Sequence, residues 1–337
     1  MKISIRVNND LPYEELLRLA SAAEAAGVDQ LWLSHDLLLR SAPVLIGALA
    51  ARTERIRLGI GIMNPYTVHT TEIAMVAATA QEISGGRFAL GVAAGATDFL
   101  GWAGLERRRP MMTVRQSVTA LRALLGHSDI AEADLPDWWG ESSSLRFPLT
   151  SPVPVYVGAT GPRMRRLAGQ VADGALPLLS RPDLYGTISD DIYAGVRDAG
   201  RDAAAFDLPA CIWVSVGERG AARRALAEKL AYYGQSFSPD HLAPSGLAPS
   251  DFHAAGRYAR AGDLGKAVEF IDGRMMSLAV VGSPDEVIEG CLELHRLGAR
   301  HISFGPPLGP DPLRALTELG RSVIPALRSA VPALRLV

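Results

Sequence analysis

Val155-Tyr156-Val157-Gly158-Ala159-Thr160-Gly161-Pro162-Arg163 carries a strand pattern into a run of small residues and then into a helix whose first position is proline. Proline there loses no hydrogen bond, and its φ angle is already helical. The stretch therefore reads as one strand–turn–helix unit. Its small residues let the backbone approach an anion, and the free N–H groups of a helix start point toward it. Arg163 would add a charge-assisted bond. A tight turn with no ligand fits the same residues, so on this stretch alone both readings stand.

Working outward, the same unit recurs. Strands are expected at 2–7, 30–34, 56–62, 87–92, 153–157, 175–179, 210–216 and 300–304. Helices are expected at 11–26, 42–52, 70–83, 113–125, 163–171, 184–199, 284–297 and 313–327. Gly27 and Gly85-Gly86 sit where helix-terminating glycines belong, and Ser283 where a cap belongs. Two stretches break the rhythm. Residues 126–150, after the fourth helix, are polar and irregular around Trp138-Trp139; residues 234–262, before the last strand, are rich in Ser, Pro and Gly. Strands alternating with helices imply parallel pairing, and eight such units suggest a single (β/α)8 TIM barrel with these two insertions. An open doubly wound sheet has the same alternation.

With 337 residues, 48% hydrophobic and 21% charged, the chain has the bulk composition of a globular enzyme, and one domain over 1–337 is expected. A net charge of −2 and the lack of a basic, aromatic-laced run argue against nucleic acid as a partner. Cys211 and Cys291 are too few for a disulfide framework or a Cys-based metal site. The first residues alternate like a strand rather than a signal peptide, and no apolar run nears the roughly 20 residues of a membrane span. The expectation is a cytoplasmic chain with no membrane contact and no metal.

In a barrel the chemistry lies at the C-terminal strand ends. That directs attention to Asn8-Asn9, His35-Asp36, Met63 to Tyr66, Gly95 to Phe99, Gly158 to Arg163, Leu178 to Arg181, and the segment from Gly305. His35 titrates near neutrality and can exchange protons, although His or Asp at a loop start often only caps the next turn. His69 falls near a helix start, where a cation is disfavoured. Arg107-Arg108-Arg109 reads best as a solvated face. The histidines lack the helical spacing of a zinc site. There is no nucleophile elbow, no P-loop and no dinucleotide fingerprint after the first strand, which weakens hydrolase and nicotinamide-dehydrogenase readings.

Several ordered stretches carry a resemblance. They are Leu31-Trp32-Leu33-Ser34-His35-Asp36, Asn64-Pro65-Tyr66-Thr67-Val68-His69, residues 82–92 and Val153 to Arg163. Ala172-Asp173-Gly174, residues 281–286 and Phe304-Gly305-Pro306 extend it. On these the chain resembles the luciferase-like family of flavin and deazaflavin oxidoreductases, in particular the branch that uses coenzyme F420. The resemblance implies a barrel with a tricyclic ring at the strand ends and a non-prolyl cis peptide at Gly61-Ile62. It implies that Asn64 bonds the ring, and that Gly95 and Ala96 lie beside it. The backbone of Gly158, Ala159, Thr160, Gly161, Arg163 and Met164 would cradle a phosphate. Arg181 would meet substrate, with His69 and Asp98 as further substrate contacts. A homo-oligomer, such as a dimer, is expected from relatives.

Two departures stand out. Relatives read Asp-His where this chain has His35-Asp36, and they carry an acid where it has Ala96. The proton then falls to His35, Asp36, Asp98 or His69, or to water. The leading expectation is an F420-dependent oxidoreductase moving hydride to or from a C=N, C=C or C=O of a small molecule. An FMN-dependent monooxygenase is the alternative, and a barrel that has lost catalysis is a third reading.

Overall fold

The computed structural model describes residues 1–330. The chain runs β1 (Lys2–Val7), α1 (Tyr13–Ala25), β2 (Gln30–Leu33), α2 (Ala42–Ala50), β3 (Arg57–Met63), α3 (Thr70–Ile83), β4 (Phe88–Val92), α4 (Thr97–Trp102) and α5 (Pro110–Leu124). It continues through β5 (Val155–Gly158), α6 (Pro162–Val171), β6 (Gly174–Leu176), α7 (Pro182–Asp198), β7 (Pro209–Val216) and α8 (Arg219–Tyr233). Short helices α9 (Pro239–Leu242), α10 (His253–Arg260), α11 (Leu264–Val268) and α12 (Gly273–Met276) follow. The last elements are β8 (Val280–Gly282), α13 (Pro284–Arg296), β9 (His301–Leu308), α14 (Pro312–Glu318) and α15 (Ile324–Ala330).

The expected closed eight-stranded barrel is corrected by the pairing. All strands are parallel, but the described residues form one open nine-stranded sheet ordered β6-β5-β4-β3-β2-β1-β9-β7-β8. It is strongly curled, with edges 18 Å apart. β6 meets the entry to β7 through the single bridge Gly174–Asp207 and never forms a ladder with it. The physical reason is local: β6 is three residues long, and Pro177, which has no N–H, directly follows it. The ninth strand, β8, was not anticipated, and it extends the sheet beyond β7.

The two breaks in rhythm differ. Residues 126–150 hold only a short 3-10 turn, Glu132–Asp134, as an excursion should. The 234–262 stretch, by contrast, contains α9, all of α10 and several 3-10 turns. Phe237, Leu242, Leu247 and Phe252 from it pack with Leu226 and Leu230 of α8 in a second apolar cluster. The main core fills the space between the helices and the outward strand residues such as Ile3, Ile5, Leu31, Leu33, Leu58 and Ile60.

Inside the curl the layers are partly polar. Arg6 of β1 is in register with Trp32 of β2, and Trp213 of β7 with Gly305 of β9. One layer down, the His301 ring bridges Asp207 at 2.9 Å and Ser4 Oγ at 2.8 Å. The Tyr156 hydroxyl and Lys2 ammonium each donate to Asp207 at 2.7 Å. Burial opposes ionisation of Asp207, yet the His301 ring and Lys2 hold its carboxyl well below the usual range. This network closes the bottom of the curl and leaves the strand C-terminal ends open.

Candidate active site

At those ends a cavity of 780 Å³ opens, within the usual range for small-molecule sites. One wall is made of small residues. Ala93 to Ala96 follow β4, Gly158 ends β5 with Ala159 just after it, and Gly61-Ile62 belong to β3. The Gly61–Ile62 peptide is cis, as the resemblance implied, and the β3–β4 register shifts between Ile60 and Met63. Gly158 keeps this wall flat, because a Cβ there would stand 2.9 Å from Ala93 Cβ and 3.2 Å from Ile62 Cγ2. Gly95 has φ +69°, a conformation that favours glycine, and a Cβ there would run into the Asn64 amide. Asn64 lies just behind this wall, donating from Nδ2 to the Ala94 carbonyl at 3.1 Å and accepting the Tyr66 N–H at 2.9 Å.

At one end of this wall, Gly158, Ala159 and Thr160 lead into α6. Its N-cap is Gly161, whose absent side chain leaves the N–H groups of the first turn without a side-chain cap. Met164 lines the cavity, while Arg163 is exposed outside it. The arginine that touches the turn is Arg165, which donates from Nε to the Thr160 carbonyl at 3.0 Å and from Nη1 to Asp191 at 3.0 Å. Sequence reasoning missed it because a helical position two residues past the expected contact carries no visible signal.

The opposite wall is polar and aromatic: Arg6, Asn8, Ser34, Asp36, Cys211, Trp213 and Tyr233. Of the adjacent pair His35 and Asp36, only Asp36 lines the cavity. Burial raises its carboxyl above the ordinary value, the Ser34 hydroxyl at 3.3 Å lowers it, Asp10 raises it and Lys229 lowers it. His35 instead turns its Nδ1 to the Ala42 N–H at the start of α2, at 3.4 Å, and burial lowers its pKa. That is the capping alternative.

The remaining candidates scatter. Asp98 sits at the cavity rim in the first turn of α4, and Ala96 caps that helix with no side-chain bond. His69 is the N-cap of α3, exposed, with its ring 5.1 Å from that of Trp138. Arg181 is buried and paired with Asp183 and Ser245 away from the cavity lining. Arg107 is exposed, as expected of the solvated run, but its Nη1 also donates to the Gly95 carbonyl at 2.9 Å and it lines the cavity. Arg6, Trp213 and Tyr233 were not anticipated. The polar alternation Lys2, Ser4, Arg6, Asn8 was the available signal for Arg6, because alternate residues of a strand share a face.

Among the described residues no group of three or more His, Cys, Asp or Glu is placed to hold a metal, and no helix is long and apolar enough to cross a membrane.

The chain is 30% identical over 334 residues to the 5,10-methylenetetrahydromethanopterin reductase of Archaeoglobus fulgidus, covering 97% of this chain and 100% of that one. It is 29% identical over 333 residues to the F420-dependent glucose-6-phosphate dehydrogenase of Nakamurella multipartita, covering 94% and 93%. Its fold matches the coenzyme F420-dependent tetrahydromethanopterin reductase of Methanopyrus kandleri with a TM-score of 0.83 and 25% identity, over 97% and 99% of the two chains. A profile described as luciferase-like monooxygenase matches residues 2–301. The small-residue wall with its cis peptide therefore sits in a chain that belongs to the luciferase-like monooxygenase family.

Proposed function

We propose that this chain is an F420-dependent oxidoreductase that moves hydride between the deazaflavin and a small organic substrate bearing a C=N, C=C or C=O bond. The F420-dependent glucose-6-phosphate dehydrogenase, at 29% identity over 94% of the chain, and the coenzyme F420-dependent reductase of matching fold, at 25%, support this. The observation that carries the reading is a single cavity joining the flat wall at Gly61-Ile62 to Thr160, beside the uncapped start of α6 at Gly161. A flat ring with an anionic tail fits that pairing of a smooth apolar surface with helix-start N–H groups.

When bound, F420 supplies the hydride. The protein's own part is orientation and proton handling. Gly158, Ala93 and Ile62 would form the face that receives the ring. The α6 turn, braced by Arg165, would hold the phosphate. Asp36 carries the proton, since its raised pKa keeps a larger share of it protonated at a given pH than an ordinary aspartate. Asn8 donates to the Tyr233 hydroxyl oxygen, fixing that ring above the cavity.

The test is a titration of the purified protein with F420 and with FMN, followed by fluorescence, with hydride exchange read from the cofactor's visible absorbance. Tight F420 binding and exchange are expected. Copurifying FMN with oxygen consumption would replace this reading with a monooxygenase, and failure of both cofactors to bind would leave a fold without catalysis.

A further inference from the structure

Arg6 projects from β1 into the curl with no acid to meet it. Its Nη2 donates to the Ile212 carbonyl at 2.7 Å and to the Ser303 carbonyl at 3.4 Å. Nε is buried without a partner, and Nη1 makes no hydrogen bond among the described residues. No Asp or Glu among them forms an ion pair with it. Asp36, an acid of the same cavity lining, interacts instead with Ser34, Asp10 and Lys229. A partly desolvated cation without a counter-charge is expensive to keep, so its retention in a cavity wall points to an external anion.

The place is built for the guanidinium rather than merely tolerant of it. Gly305 lies beside Arg6 on β9, and a Cβ there would stand 2.9 Å from Arg6 Cζ. The two carbonyls both take Nη2, leaving Nη1 without an acceptor among the described residues. Asn8, two residues on along the same face, donates to the Tyr233 oxygen, which leaves the Tyr233 O–H proton uncommitted. The Trp213 ring meets Tyr233 edge-on at 6.0 Å and adds an apolar side. All five residues belong to the elements facing the Gly61-Ile62 wall.

We propose that Arg6 is the specificity residue for the substrate, and that the substrate carries a carboxylate received by Arg6 Nη1 and the Tyr233 hydroxyl, with its apolar part against Trp213. Two donors match two carboxylate oxygens. A phosphate asks for more donors, and the α6 turn supplies that kind of site elsewhere in the same cavity. The assignment rests on the proposed function for the identity of the opposing ring, though the anion contact itself does not need it.

The experiment titrates benzoate, benzamide and inorganic phosphate into the F420-loaded protein and into the protein alone, reading ligand-induced shifts in Tm. It does so for the wild type, Arg6→Gln and Arg6→Lys. The expected result is that benzoate binds the wild type about tenfold more tightly than benzamide, the scale of one charged hydrogen bond. Arg6→Gln loses that preference while F420 affinity stays within about twofold, and Arg6→Lys recovers part of it. Equal binding of benzoate and benzamide would make Arg6 a structural cation and overturn the proposal. So would a loss of F420 affinity in Arg6→Gln, which would place the residue on the cofactor, or phosphate outcompeting benzoate. If F420 binds no variant, the proposed function fails while the benzoate preference of the protein alone still decides Arg6.

Discussion

The Arg165 guanidinium holds the Thr160 carbonyl at 3.0 Å and Asp191 of α7 at 3.0 Å, so one side chain ties the anion turn to the neighbouring helix. The Arg165 side chain is 7% exposed and Asp191 29%, so the pair is only partly screened. Arg165→Met should lower stability by about 1–3 kcal/mol, the cost of losing a charged hydrogen bond and stranding its partners. It should also weaken F420 binding more than Asp191→Asn does, because only the former frees the Thr160 carbonyl. Thermal melts and fluorescence titrations of both variants check this; equal binding losses would show that the turn does not depend on Arg165.

Gly95 and Asn64 share one space. Gly95→Ala combines a left-handed backbone with a contact on the Asn64 amide. The backbone alone should cost about 1–2 kcal/mol. Displacement of Asn64 should release the Ala94 carbonyl and roughen the wall, so F420 affinity should fall together with Tm. An unchanged affinity in a folded variant would remove Asn64 and Gly95 from the cofactor surface.

Asp36 has a folded-state pKa above its ordinary value of 3.8, chiefly through burial. The folded state thus holds its proton to higher pH than the unfolded chain does. Ionising it opposes folding as pH rises from 3.8 through the folded pKa. Asp36→Asn should therefore melt higher than the wild type at pH 7, with the difference closing toward pH 3. Its hydride-transfer rate should nonetheless fall, and the wild type's pH dependence on the alkaline side should flatten. A variant as active as the wild type across the pH range would move the proton elsewhere.

His241 of α9 is buried, and neither ring nitrogen has a hydrogen-bond partner. Burial pushes its pKa down to about 4, with Arg165 lowering it, Asp240 raising it and Arg181 lowering it. Above pH 6.5 the ring is neutral in both states. As pH falls from 6.5 toward 4, the unfolded chain takes up a proton that the folded one resists, so stability declines. His241→Leu should remove that part of the acid sensitivity. Melts at half-unit steps between pH 7 and 4 test it, and parallel curves for both proteins would contradict it.

Much of the architecture follows from the chain alone. The alternation of strands and helices requires parallel pairing, and eight of the nine strands fall where their apolar patterns put them. The small residues after β5 and the proline opening α6 define a turn that exposes helix-start N–H groups whatever surrounds it. Those are local properties, fixed by a few neighbouring residues and their steric preferences.

Other features needed the folded sheet. Whether the curl closes depends on how far β6 runs beside β7, and a three-residue strand stopped by proline is a matter of register rather than pattern. His35 and Asp36 are adjacent in sequence, yet one caps α2 and the other faces the cavity, because successive residues leaving a strand diverge. Arg165 takes the part expected of Arg163 through the rotation of α6, which exposes Arg163 and buries Arg165. Arg6 was visible only as a polar residue in an alternating strand. Its meaning comes from Gly305, Ile212 and Tyr233, which lie about 200 or more positions away and meet it only where β1, β9, β7 and the end of α8 converge.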